Sequence, residues 1–237
     1  MRAVCFDLDD TLCKEIDYLK SAYREIASYA TQMCLETNVN IQAEKAYEVM
    51  FRAFENGNNA FEVLNAYLGI DLAITDMLRI YRDMLRIYRE HVPQITLATD
   101  VRYTLEKLKS QGVLMGIVSD GRELTQWNKI RALGLTEWMD ESCIIVNSSP
   151  DCFKPHFYGY DRFEAAARIL SDNHKLSFTY VGDNLKKDFI YPKRRGWQTI
   201  CLKDDGNNIH LQDFENTPTD ALPDIVLESI KDIIDII

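Results

Sequence analysis

The segment VCFDLDDTL at 4–12 closes a short apolar run with two aspartates at alternate positions, Asp7 and Asp9, and Thr11 follows two residues on. If Val4–Phe6 is a strand, side chains alternate between its faces, so Asp7 and Asp9 leave its carboxyl end in the same direction. Carboxylates held that close repel unless a cation lies between them, a proton is shared, or one side chain turns away. The plainer alternative makes Asp7 a turn residue and 9–11 the cap of a following helix, positions that Asp and Thr favour. The pair alone leaves both readings open.

Similar polar clusters follow later apolar runs. Val113–Val118 leads into Ser119, Asp120 and Gly121, Phe178–Val181 leads into Gly182, Asp183 and Asn184, and Lys154-Pro155 follows the run at 143–146. In an open parallel sheet the strands' carboxyl ends gather on one edge, where such sheets bind ligands. Phosphoryl transfer needs this set of groups. A carboxylate nucleophile approaching an anionic phosphorus requires a divalent cation and a basic side chain. Asp7 and Asp183 can offer oxygens to magnesium, which takes few carboxylates and keeps several waters. The Ser119 hydroxyl and the Lys154 ammonium can hold phosphate oxygens. Asp9 can protonate the leaving oxygen and later activate water.

The elements that must position these groups alternate along the chain. From residue 91 onward, helical stretches at 99–110, Glu123–Leu133 and Phe157–Leu170 alternate with strand-like runs at Val113–Val118, Cys143–Val146, Phe178–Val181 and Trp197–Leu202. Thr99 or Asp100 is the expected cap of the first helix, and Gly112 its stop. Pro223 breaks the chain before Asp224–Leu227, and a closing helix follows. This alternation predicts an α/β fold with a mostly parallel sheet and helices on both faces. Between the first strand and residue 91 the rhythm is helical only, over Asp17–Leu35, Gln42–Phe54, Ala60–Leu68 and Asp71–Tyr88. The expected organisation is a discontinuous core, 1–14 and 95–237, with a helical cap domain inserted at 15–94. DMLRIYR occurs twice in succession, at 76–82 and 83–89. Seven residues are nearly two turns, so the duplication predicts one long amphipathic helix with Leu78, Tyr81, Leu85 and Tyr88 on its stripe.

Composition narrows the partners. With 237 residues, 46% of them apolar, the chain can bury a sizeable core. A formal net charge of −10 disfavours nucleic acid and anionic membrane as partners and suits a small ligand. No apolar run reaches bilayer length and no secretory leader is apparent, so a cytoplasmic protein is expected. The six cysteines form no closely spaced pair, which predicts reduced thiols. Oligomeric state is not legible.

Taken together, FDLDDTL at 6–12, IVSDG at 117–121, KP at 154–155 and GDNLKKD at 182–188 resemble, in order and spacing, the four motifs of the haloacid dehalogenase (HAD) superfamily, in the subgroup with a helical cap between the first two. The resemblance implies a Rossmann-like core of strand order 5-4-1-2-3 and a mobile lid, whose hinges are expected at the two chain crossings, near 13–17 and 91–97. It implies that Asp7 is the nucleophile, forming an aspartyl-phosphate. Asp9 would be the general acid/base, its backbone carbonyl also binding Mg2+. Thr11 would support the loop through hydrogen bonds, and Ser119, with Asp120, Thr11 and Lys154, would form the phosphate-binding set. Lys154 would also hold the nucleophile, Asp183 would complete the metal site with Asp7 and Asp9, and Asp188 would act behind it through water or Lys154.

The activity implied is a Mg2+-dependent phosphatase acting on a small phosphorylated metabolite, a sugar phosphate or nucleotide. An acid two residues after the nucleophile favours phosphate esters over halides. A sugar phosphomutase of the beta-phosphoglucomutase type, or a binding protein that kept the fold without turnover, are the alternatives. Glu15, Tyr18 and Ser21 stand where the chain enters the cap and could meet a leaving group or simply pack. Arg122 could touch substrate but reads better as a solvent-facing helix start. Lys186, Lys187, Lys193, Arg194 and Arg195, of which only the first two lie in a motif, read as a solvated helix face, with a phosphate-rich substrate the lesser alternative. The four histidines have no ligand spacing, and the mechanism needs none of them.

Overall fold

The computed structural model describes residues 1–36, 41–68 and 74–237. Six strands form one parallel sheet: β1 (Arg2–Phe6), β2 (Leu114–Asp120), β3 (Ile144–Asn147), β4 (Ser177–Gly182), β5 (Gln198–Leu202) and β6 (Ile225–Leu227). Their order is β3-β2-β1-β4-β5-β6. The expected 5-4-1-2-3 arrangement lies within it, and β6 adds a sixth strand outside β5. Between β2 and β4, β1 buries Ala3, Val4, Cys5 and Phe6 completely, as a strand covered on both faces requires.

Helices α5 (Thr99–Ser110), α6 (Glu123–Ala132), α7 (Tyr158–Leu170), α8 (Ile190–Arg194) and α9 (Ile233–Ile236) complete this part of the chain. Ala98 occupies the cap position of α5 and contributes no side-chain bond, so neither Thr99 nor Asp100 caps it. One core cluster gathers Ala3 and Cys5 of β1, Phe178 and Tyr180 of β4, and Tyr160 and Phe163 of α7. These sheet residues are two apart along each strand and so share one face.

Residues 1–16 and 96–237 form one compact unit, and Asp17–Ile95 form a second. The second contains most of α1 (Glu15–Glu36), together with α2 (Ala43–Glu55), α3 (Ala60–Leu68) and α4 (Ile74–Glu90). Its interior is aromatic, with Tyr23 and Tyr88 each meeting Phe61. The duplicated heptad is one helix, but its stripe differs from the expected one. Ile80 and Met84 are buried, whereas Leu78 is 65% exposed. The seam therefore runs one position to the side, at 77, 80, 81, 84 and 88, where α4 meets its neighbours. Asp71, the expected start of this helix, lies outside the described residues. Among the described residues no helix is long and apolar enough to cross a membrane, and all six cysteines are free.

Candidate active site

Strand register brings the polar clusters together. Phe6 pairs with Ile117 on one side and Val181 on the other. Asp7 therefore stands level with Val118 and Gly182, one step short of Ser119 and Asp183. The Asp7 N–H donates to the Val181 carbonyl at 2.8 Å. Beyond Asp7 the chain folds on itself, with Leu12 and Cys13 N–H both donating to the Leu8 carbonyl at 2.9 and 3.1 Å. Asp10 takes a left-handed conformation, φ 57°, which aspartate tolerates better than most residues. Its carboxylate accepts the N–H of Glu15, the first residue of α1, at 3.0 Å and that of Ile209 at 2.9 Å. The turn and cap chemistry that the sequence offered for 9–11 is thus carried by Asp10, and Asp7 and Asp9 are left to face the site.

Around Asp7 the groups are buried and mostly acidic. Lys154 Nζ lies 2.8 Å from Asp7 Oδ1 and 2.7 Å from Asp188 Oδ1, with its side chain fully enclosed. It also donates to the Tyr180 hydroxyl at 3.0 Å. Asp188 Oδ2 accepts the backbone N–H groups of Asp183 and Asn184 at 3.2 and 2.8 Å. Oxygens of Asp7, Asp183 and Asp188 lie within 4.8 Å of one another. Gly182 permits this crowding, because a Cβ there would sit 2.5 Å from Asp188 Oδ2. Burial raises the Asp7 carboxyl to about 6 against the pull of Lys154. Burial, then the charges of Asp188 and Asp7, push Asp183 up to about 9.

Around Asp9 the balance is different. Lys129 of α6, 3% exposed, places Nζ 2.7 Å from Asp9 Oδ1. Gln126, one turn earlier, donates from Nε2 to Asp9 Oδ2 at 2.8 Å and to Ser119 Oγ at 2.7 Å. Burial would raise Asp9, but Lys129 and these hydrogen bonds hold it below the ordinary carboxylate value. Glu15 is raised to about 7 by burial and then by the charge of Asp9. A cavity of about 160 Å³ is lined by Asp7, Asp9, Ser119, Asp183, Lys187 and His210, among others. A wider groove of about 410 Å³ lies at the opposite strand ends. There Arg168 and Arg195 already pair with Glu164, and none of the motif residues takes part.

Most of the expected site residues meet here, though several do different work from that expected. Asp120, expected among the phosphate binders, lines the cavity. Its carboxylate accepts Asn147 Nδ2 at 2.9 Å, the Lys154 N–H at 3.1 Å and Lys187 Nζ at 3.3 Å, so it also anchors the loop that carries Lys154. The Thr11 hydroxyl, expected to brace the first loop, is buried with no hydrogen-bond partner among the described residues, and Asp10 does the bracing. Lys187 does not belong to a solvated face; it lines the cavity and is paired with Asp120. Tyr18 and Ser21 are buried in the helical unit, bonded to the Tyr88 carbonyl and to His91. Arg122 is exposed, as expected.

Gln126, Lys129 and the loop at 204–212 escaped the reading of the sequence. In that loop Asn208 Nδ2 donates to Asp183 Oδ2 at 3.1 Å and is itself held by Lys14. A signal for the helical pair did exist: Gln126 and Lys129 fall in helical register with Ile130 and Leu133, two polar residues on a face that should be apolar.

The family model described as haloacid dehalogenase-like hydrolase matches residues 4–202. The chain belongs to this family. A glyceraldehyde 3-phosphate phosphatase of Methanocaldococcus jannaschii is 24% identical over 248 residues, spanning 100% of this chain and 97% of that relative. Pyrophosphatase PpaX of Oceanobacillus iheyensis is 27% identical over 242 residues, with the same coverage of 100% and 97%. Among solved structures, a HAD phosphatase from Thermococcus onnurineus matches with a TM-score of 0.58 at 17% identity, over 100% of this chain and 97% of that one, a likeness of fold.

Proposed function

We propose that this member of the family is a Mg2+-dependent phosphatase that hydrolyses a small phosphate monoester through an aspartyl-phosphate on Asp7. The observation that carries the reading is the enclosed Lys154 ammonium, bonded to Asp7 and Asp188 beside Asp183. It holds the nucleophile and supplies positive charge where an anionic substrate must arrive. The relatives' names point to phosphorylated small molecules, and they differ in substrate.

The donor set fits a hard divalent cation. Three buried carboxylates share one enclosed ammonium, and burial first, then the charges of Asp188 and Asp7, raise Asp183. Asp188 is held by Lys154 and two backbone N–H groups, so Asp7, Asp183 and the Asp9 carbonyl are the oxygens that would hold Mg2+. When bound, the ion would neutralise the phosphate and polarise its oxygens.

The chain's own residues then divide the work. Ser119 and Lys187, which line the cavity, fix phosphate oxygens, while Lys154, its three N–H groups on Asp7, Asp188 and the Tyr180 hydroxyl, holds the nucleophile and lends its charge. An Asp7 oxygen attacks phosphorus while the bond to the leaving oxygen breaks, and that oxygen takes a proton from Asp9. Water then attacks phosphorus and yields a proton back to Asp9 while the bond between phosphorus and the Asp7 oxygen breaks, which frees the carboxylate and releases phosphate. With Lys129 and Gln126 on its two oxygens, Asp9 is in the carboxylate form suited to the second step; it must gain a proton before the first. We assign water exclusion and choice of leaving group to the helical insertion.

The test is phosphate release from a panel that includes glyceraldehyde 3-phosphate, sugar phosphates, nucleotides and pyrophosphate, with and without Mg2+, for wild type and Asp7→Asn. Mg2+-dependent release lost in Asp7→Asn is expected. Isomerisation of a sugar phosphate without net release would make the protein a mutase, and tight binding without turnover across the panel would make it a binding protein.

A further inference from the structure

Ser119 is 1% exposed and Gln126 2% exposed. The Gln126 amide has one orientation that works: Asp9 Oδ2 is a carboxylate oxygen and only accepts, so Nε2 and not Oε1 must face it. The second hydrogen on that nitrogen then points to Ser119 Oγ at 2.7 Å. A hydroxyl that accepts on its oxygen keeps its own hydrogen to donate elsewhere. The amide also needs the open space at Gly121, where a Cβ would stand 3.3 Å from its Cγ and Cδ.

We propose that Gln126 is a positioning residue that orients the Ser119 hydroxyl as a donor to the substrate's phosphate and, with the same nitrogen, ties that hydroxyl to Asp9. The inference rests on the phosphatase reading and deepens it. A single amide spans the group that captures phosphate and the group that moves protons, so the two are placed relative to each other by a helix, α6, outside the four motifs.

The probe is inorganic phosphate, as a competitive inhibitor of wild type, Gln126→Met, Ser119→Ala and the double variant, with KM and kcat followed in parallel. Gln126→Met is expected to raise the phosphate inhibition constant and KM together by roughly tenfold, about one hydrogen bond's worth of affinity. In the Ser119→Ala background the same substitution should change phosphate affinity by less than about twofold, because Gln126 acts there through the missing hydroxyl. Equal losses in both backgrounds would reduce Gln126 to a packing role and overturn the proposal, as would unchanged affinity in the single variant. Should Gln126→Met fail to fold, Gln126→Asn withdraws the amide by one carbon and carries the same expectation. A wild type that releases phosphate from no substrate sinks the phosphatase reading and this inference with it. An active wild type with a failed cycle sinks the inference alone.

Discussion

Two buried lysines serve the two aspartates of the first strand end, and their surroundings differ. Lys154 reaches Asp7 from a loop and is shared with Asp188, while Asp183 stands beside them and, among the described residues, has no ammonium of its own. Lys129 reaches Asp9 from a helix and lies on one of its oxygens, with Gln126 on the other. The first cluster has excess negative charge and calls for a cation; the second is neutralised by the protein itself. The same strand end thus holds a carboxylate kept ready for metal and phosphorus beside another that is kept ionised and fixed. Their closeness is tolerable because each has its own counter-charge.

Removing the lysines should separate the clusters most strongly. Lys154→Met leaves three enclosed carboxylates facing one another, so it is expected to abolish turnover and to cost about 3–5 kcal/mol of stability. Lys129→Met uncovers one carboxylate that is 20% exposed, and about 1.5–3 kcal/mol is expected. Denaturant unfolding of both variants measures the difference; equal costs would mean that the two sites are not distinct in charge.

The second effect in size concerns the cation. Added Mg2+ at about a hundred times its Kd should raise the wild-type melting temperature by roughly 5–10 °C through mass action. Asp183→Asn should lose most of that shift and Lys129→Met should keep it. A comparable shift in Asp183→Asn would move the metal away from the Lys154 cluster.

The sequence revealed one of these clusters far better than the other, for a physical reason. Asp7, Ser119, Lys154 and Asp183 follow apolar strands directly, so their place on the sheet edge follows from strand pattern alone, and the fold follows with them. Gln126 and Lys129 lie inside a helix, where polar residues are ordinary and only their shared face with Ile130 and Leu133 is unusual. Lys187 looked like one of several surface cations, because its neighbour Asp120 is 67 residues away in the chain. Leu78 was misplaced because a seven-residue repeat fits more than one stripe of a helix, and the contacts made by α4 chose another.

A smaller effect is expected from crowding. Gly182→Ala would place a methyl group against the Asp188 carboxylate, at a cost of about 1–3 kcal/mol. It should also weaken Mg2+ binding, because Asp188 holds Lys154 and, through it, Asp7. Metal affinity measured calorimetrically checks this, and an unchanged affinity would confine Asp188 to the scaffold.

The subtlest distinction is in the pH dependence of the metal-free protein. Asp183 has its folded value raised from 3.8 to about 9. Between those values the folded protein keeps a proton that the unfolded chain has released, so stability falls as pH rises through this window. Asp7, raised to about 6, adds to the fall in the lower part. Asp9 works in the opposite sense: its folded value is depressed, so its contribution is present above 3.8 and is lost only as the pH drops further, through that folded value. Unfolding free energy measured from pH 6 to 9 in a chelator should therefore decline in wild type and in Lys129→Met, and decline less in Asp183→Asn. Saturating Mg2+ should flatten the wild-type curve, because the cation takes the place of the proton on Asp183. A metal-free curve that rises across this range would show that the excess negative charge does not reside at Asp183, and the contrast between the two lysines would lose its basis.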